Sequence, residues 1–191
     1  MCAQAVRLGK FRTVPTELED VWIIEPQVWR DERGFFLESY SAEDMGGIGI
    51  DFTFPQDNHS RSTRGVLRGL HYQLPPRAQG KLVRAVSGEV FDVAVDVRRS
   101  SPAFGRWVGV YLSAANLRML WIPPGFAHGF LVVSEFADVL YKTTEIYSPE
   151  HERTIRWDDG TIGIKWPLLA KPLVSRKDEL GSSFSEAEVF D

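Results

Sequence analysis

The chain has 191 residues, a formal net charge of −4, and a composition that is 43% hydrophobic and 25% charged. These values fit one globular domain with a core of useful size, and the mild acidity argues against nonspecific nucleic-acid binding, which favours a basic surface. No run approaches the ~20 apolar residues of a membrane-spanning helix, the first residues lack the apolar run of a secretion signal, and the single cysteine, Cys2, can form neither an internal disulfide nor a Cys-based metal site. A soluble, cytoplasmic protein is the expectation.

In chain order, Gly and Pro punctuate the sequence about every ten residues, with short period-two runs between them. Near the N-terminal end, "SAEDM" predicts a short helix with Ser41 as N-cap and Asp44 three residues later. "VLRGLHYQ" reads as a strand, with Leu67, Gly69, His71 and Gln73 on one face and Val66, Arg68, Leu70 and Tyr72 on the other. "KLVRAVS", "EVFDVAVDV", "GRWVGVYLS", "RMLWIP", "GFLVVSE" and "ADVLYKTTE" read similarly. In "EVFDVAVDV", Phe91, Val93, Val95 and Val97 oppose Val90, Asp92, Ala94 and Asp96. "SRKDEL" predicts a second helix opened by Ser175, and the closing "SSFSEAEVFD" reads as weakly tethered. The pattern predicts an all-β, jelly-roll-like barrel of two sheets, as a single domain over 1–191 with a core of about 20–170 and a C-terminal tail at 171–191. Sheet edges of such a barrel are often covered by dimerisation, so a homodimer is expected.

Several residues carry chemistry. Three readings are open for His71: a hydrogen-bonded core histidine, a metal ligand or a general base. A metal site of the cupin type asks for a second histidine two residues on, where Gln73 stands. His128 could tie its Pro-Pro-Gly turn or line a cavity mouth, while His59 and His151 read as loop residues. Arg68 stands among apolar neighbours and needs either a carboxylate, Asp92 or Asp96, or an anionic ligand. Tyr141 is either a barrel tyrosine or an acid facing a histidine base. Asp178 either caps its helix or orients His71. The motifs of serine hydrolases, phosphate-binding loops and dinucleotide folds are absent. These residues reach as far as metal-free acid/base chemistry on an anionic ligand.

The stretches "DERGFFLESY", "QDNHS", "VLRGLHYQ", "QGKLVRAVSGEVFDVAVDVR", "SPAFGRWVGVYLS", "WIPPGFAHGF", "LYK", "YSP" and "GIKWP" run in order from about residue 20 to 180. In them the chain closely resembles the dTDP-4-dehydrorhamnose 3,5-epimerase family of cupin-like jelly rolls. The resemblance implies proton transfer beside the ketone of a dTDP-4-keto-6-deoxyhexose, without a cofactor or metal. It implies His71 as base, Asp178 as its dyad carboxylate, Lys81 beside the enolate oxygen and Tyr141 as the acid. It implies phosphate contacts from Arg68 and Arg33, thymidine contacts from Phe36, Glu38, Gln56 and Asn58, stacking by Tyr147, and His128 lining the sugar pocket. In the family an N-terminal segment reaches into the partner's site, which again implies a dimer. One departure is Ile146, where the family often has a second aromatic before the "YSP" tyrosine. The alternatives are an epimerase acting at C3 alone in a specialised deoxysugar pathway, a noncatalytic nucleotide-sugar binding barrel, and a metal-dependent cupin oxygenase.

Overall fold

A computed structural model describes residues 5–191, so Cys2 lies outside the described residues. The N-terminal part forms β1 (Val6–Leu8), β2 (Phe11–Pro15), β3 (Trp22–Pro26), a hairpin of β4 (Val28–Asp31) and β5 (Gly34–Leu37), and helix α1 (Ala42–Gly47). The central part runs through β6 (Gln56–Thr63), β7 (Leu67–Gln73), β8 (Lys81–Ser87), β9 (Glu89–Asp96) and β10 (Trp107–Ser113). It continues with β11 (Met119–Ile122), β12 (Phe126–Val132), β13 (Phe136–Thr143), β14 (Glu152–Thr154) and helix α2 (Arg176–Glu179). Both helices start where the sequence predicts. The Ser41 hydroxyl accepts from Asp44 N–H, and the Ser175 hydroxyl from Asp178 N–H.

The strands form a seven-stranded sheet in the order β1-β2-β3-β11-β8-β13-β6, a five-stranded sheet in the order β10-β9-β12-β7-β14, and the separate β4–β5 hairpin. The fold is therefore mostly β, with two stacked antiparallel layers and two short helices. Strand alternation explains the stacking. Val90 and Ala94 of β9 face inward with Val110 and Leu112 of β10, meeting Val83 and Ala85 of β8, Leu120 of β11 and Val139 of β13 in one core. The opposite face of β9, with Phe91, Val93, Val95 and Val97, lies under a second cluster that includes Ile155, Ile162, Phe184 and Ala187. A third cluster joins α1, through Met45, to Leu82, Met119 and Trp121 on the outer face of the larger sheet.

The closing segment is not weakly tethered, contrary to the expectation. Phe184 and Ala187 are buried, Phe190 N–H donates to Val97 O, Arg99 N–H donates to Phe190 O, and the Tyr72 hydroxyl donates to Glu188 O. The physical reason is that the outward face of β9 is as apolar as its inward face and needs a cover. Among the described residues no helix is long and apolar enough to cross a membrane.

Candidate functional site

The space between the sheets changes character from one end to the other. On β13 the inward series runs Ala137, Val139, Tyr141, Thr143, and its partners on β6 are Ser62, Ser60, Asn58 and Gln56. On β8 the inward series starts at Lys81 before Val83 and Ala85. At this edge a cavity of about 220 Å³ opens, lined by His71, Gln73, Lys81, Tyr141, Tyr147 and Glu152 together with Gln56, Asn58, Tyr72 and Gln79.

The strict alternation expected for β7 is wrong in one respect. His128 pairs with His71 while Phe130 pairs with Arg68, so two steps on β12 match three on β7. The extra residue is a bulge, and it puts Arg68 on the same face as His71 rather than the opposite one. Gly69 sits there with φ +128, and a Cβ on it would come within 2.5 Å of Gly129 Cα, so only glycine fits. Arg68 Nε donates to the Ser62 hydroxyl across the gap between the sheets at 3.1 Å. It makes no ion pair with Asp92 or Asp96, because Asp96 is held by Arg98 and Asp92 by His128.

His71 and Asp178 meet as a dyad. His71 Nε2 lies 2.6 Å from Asp178 Oδ1, and the His71 side chain keeps 27% of its surface exposed toward the cavity. Asp178 thus fills both roles considered for it, since its N–H also binds the Ser175 hydroxyl at 3.2 Å. Burial pushes the Asp178 carboxyl up, but the His71 ring, Ser175 and Gly69 N–H outweigh it and hold it below its ordinary value. An Nε2–H donated to this carboxylate leaves Nδ1 as the basic nitrogen. Lys81 donates to His71 O at 3.3 Å, and burial pushes its ammonium down to about 8 against the pull of Glu152 and Asp92. Tyr141, on the facing sheet, is pushed up by burial, with the charge of Arg68 acting the other way.

His128 lies inside β12 rather than in the turn before it. Its Nε2 is 3.0 Å from both carboxylate oxygens of Asp92, so it ties a neighbouring strand and not its own turn. Burial pushes its ring below the ordinary value despite Asp92. His59 is likewise in a strand, β6, on Asp138 of β13 at 3.0 Å. His151 bonds the Ser148 hydroxyl at 2.8 Å.

Arg33, Phe36 and Glu38 stand apart from this cavity. Arg33 caps the β4–β5 hairpin on Asp31, Phe36 is 64% exposed, and Glu38 pairs with Lys10. The cavity also holds residues that sequence reasoning did not single out for function. Glu152 accepts from the Tyr147 hydroxyl at 2.7 Å and pairs with Lys177, the residue before Asp178. Gln73 accepts from Ser148 N–H at 2.9 Å and holds the loop that carries Tyr147.

A family model described as dTDP-4-dehydrorhamnose 3,5-epimerase matches residues 15–186. A dTDP-4-dehydrorhamnose 3,5-epimerase of Pseudomonas aeruginosa is 59% identical over 174 residues, covering 91% of this chain and 96% of that protein. The structure of a dTDP-6-deoxy-D-glucose-3,5-epimerase from Legionella pneumophila in complex with dTDP-4-keto-L-rhamnose superimposes with a TM-score of 0.90 at 49% identity, over 93% of this chain and 95% of that one. A 3'-monoepimerase from Streptomyces bikiniensis in complex with dTDP-quinovose superimposes with a TM-score of 0.84 at 35% identity, over 90% and 87% of the two chains. The whole cleft, from Gln56 to Asp178, falls within the matched span, and the chain belongs to the dTDP-4-dehydrorhamnose 3,5-epimerase family.

Proposed function

We propose that this protein epimerises a dTDP-4-keto-6-deoxyhexose at C3 and C5. The observation that carries the reading is His71, oriented by Asp178 at 2.6 Å, sharing one cavity with Tyr141 from the opposite sheet. A C–H bond beside a ketone is acidic because its electron pair can move into the carbonyl. His71 takes that proton, the pair forms an enolate on the C4 oxygen, and Tyr141 returns a proton to the same carbon from the other face. The Lys81 ammonium holds the enolate oxygen in this reading, which its place in the lining of the same cavity supports. Each inversion consumes and returns one proton, so the reaction balances without a cofactor. Asp178 keeps the imidazole in its productive tautomer.

Arg68, brought to the His71 face by the bulge, fits a diphosphate through its fork of donors. Gln56 and Asn58, together with stacking by Tyr147, suit the thymidine end, and His128 backs the sugar. Arg33, Phe36 and Glu38 belong to this reading only through a homodimer. In it, the β4–β5 hairpin of one protomer would reach the cavity of its partner. Two features support such a dimer. The hairpin pairs with neither sheet and exposes Phe35 and Phe36, and Arg84 Nε on the outer face of the larger sheet is buried without a partner among the described residues. We read the two stacked sheets as a single jelly-roll domain, and a nucleotide-sugar substrate supports a cytoplasmic place.

A second reading, epimerisation at C3 alone, is favoured by the likeness to the 3'-monoepimerase. Incubation with dTDP-4-keto-6-deoxyglucose in heavy water decides. Two solvent deuteriums in the product sugar support the leading reading, and one, located by NMR, supports the second. None above the enzyme-free control would leave a barrel that only binds.

A further inference from the structure

Behind the cavity lies a second histidine–carboxylate pair, His128 with Asp92, and the proposed reaction leaves its carboxylate without a task. Asp92 sits at the centre of β9, fully buried, and its neighbours on the same face, Val90 and Ala94, belong to the inter-sheet core. Both of its carboxylate oxygens converge on one ring nitrogen, His128 Nε2, at 3.0 Å. His128 is in turn the cross-strand partner of His71. Directly opposed residues in antiparallel strands stand with Cβ atoms about 4.5–5.5 Å apart. The inner face therefore carries an oblique line across three strands, with Asp92 on β9 reaching diagonally to His128 on β12, whose direct β9 partner is Ala94, then His71 on β7, and Asp178 closing on the far side of His71.

A carboxylate buried this completely costs several kcal/mol to desolvate, and an apolar residue of similar size would serve packing as well. Its place against a cavity wall asks for another reason. We propose that Asp92 is a positioning residue for the epimerisation set out above, on which this inference rests: it holds His128 as the Nε2–H tautomer and fixes a negative charge behind Lys81. The first effect stops the His128 ring from turning over beside His71. The second concerns the one Lys or Arg among the residues lining the cavity. Lys81 is faced by the charges of Glu152 on β14, Asp92 on β9 and Lys177 on α2, and it acts in turn on His128 of β12. Burial drives its proton off, and the two carboxylates keep the proton on. Only the protonated amine can neutralise an enolate oxygen.

Asp92→Asn keeps the shape and can still accept from Nε2–H, but removes the charge. The expected result is a roughly 10–100-fold lower kcat with KM nearly unchanged, in the range seen for partners that orient functional histidines. The alkaline limb of the rate profile also moves to lower pH. A variant that only loosened packing would lose stability without moving that limb. Wild-type rate and wild-type profile in the Asn variant overturn the proposal. Should that variant not fold, 15N NMR of histidine-labelled wild-type protein decides. An Nε2–H tautomer for His128, kept with and without dTDP, supports the proposal, and an Nδ1–H tautomer overturns it. Wild-type exchange in heavy water is the control. If it fails, the epimerase reading fails, while the tautomer of His128 still reports on Asp92 by itself.

Discussion

The two ends of the space between the sheets are made by the same strands and do opposite things. At one end Val90, Ala94, Val110 and Leu112 meet Leu120 and Val139, and water is excluded. At the other end β7 and β14 face β6, and the inward positions are His71, Gln73, Glu152, Asn58 and Gln56. The β8 and β13 strands pass from one regime to the other within two residues, from Val83 to Lys81 and from Val139 to Tyr141. One end holds the layers together. The other end spends that rigidity on holding charged and polar groups at set distances, which is what a site needs and a core avoids.

The comparison can be broken by substitutions that cross the boundary. The largest effect is expected for His71→Asn, which should lower deuterium exchange about 10²–10⁴-fold, the usual worth of a general base, while the protein stays folded and loses only the stability that the His71–Asp178 contact supplies. Normal exchange in this variant would remove the base from the mechanism. Leu120→Ala, at a fully buried core position, should do the reverse. A loss of about 2–5 kcal/mol in denaturant unfolding is expected, with kcat retained in the folded fraction. Arg68→Ala should raise the Kd for dTDP by roughly tenfold or more, since charge-assisted hydrogen bonds are worth about 1.5–3 kcal/mol, and leave kcat almost alone. Unchanged dTDP affinity by calorimetry would make Arg68 structural.

The smallest effect sharpens the comparison through pH. The Asp178 carboxyl is held below its ordinary value in the folded state. Its contribution to stability is therefore present above the unfolded pKa of about 3.9 and is lost as pH falls through the lower folded value. The stabilities of wild type and Asp178→Asn should differ at neutral pH and draw together below about pH 4. A constant gap down to pH 2 would contradict the dyad.

Much of this was legible from residue patterns, for identifiable reasons. The strands from β8 to β13 announce themselves through strand-favouring residues between regular turn signals, with period two kept in the burial of β10 while β9, β11 and β12 are packed on both faces. Both helix starts were visible because a serine cap is a local signal. The bulge in β7 was not, since "LRGLH" records a glycine but not which strand it must pass. Asp92 was placed on the right face of β9, yet its partner was unreadable, because His128 lies 36 residues away and is joined to it only by the β9–β12 pairing. Glu152 and Lys177 were missed for the same reason: an exposed-looking Glu and Lys become a pair only when α2 folds back onto the β14 edge. His71, Lys81, Tyr141 and Asp178 were named together through family resemblance, and the fold brings their elements to one edge. Arg33, Phe36 and Glu38 came from the same resemblance, and a single chain leaves them outside.

The three-against-two offset between β7 and β12 has a wider meaning. Counting along "RGLH" by strand parity sends the arginine and the histidine to opposite sides, and adding one residue between His128 and Phe130, which would match three steps with three, would do so physically. Every side chain would still be encoded, yet Arg68 and His71 could no longer share the inner face. In this stretch the heritable quantity is a spacing, and a change of length there is a change of chemistry.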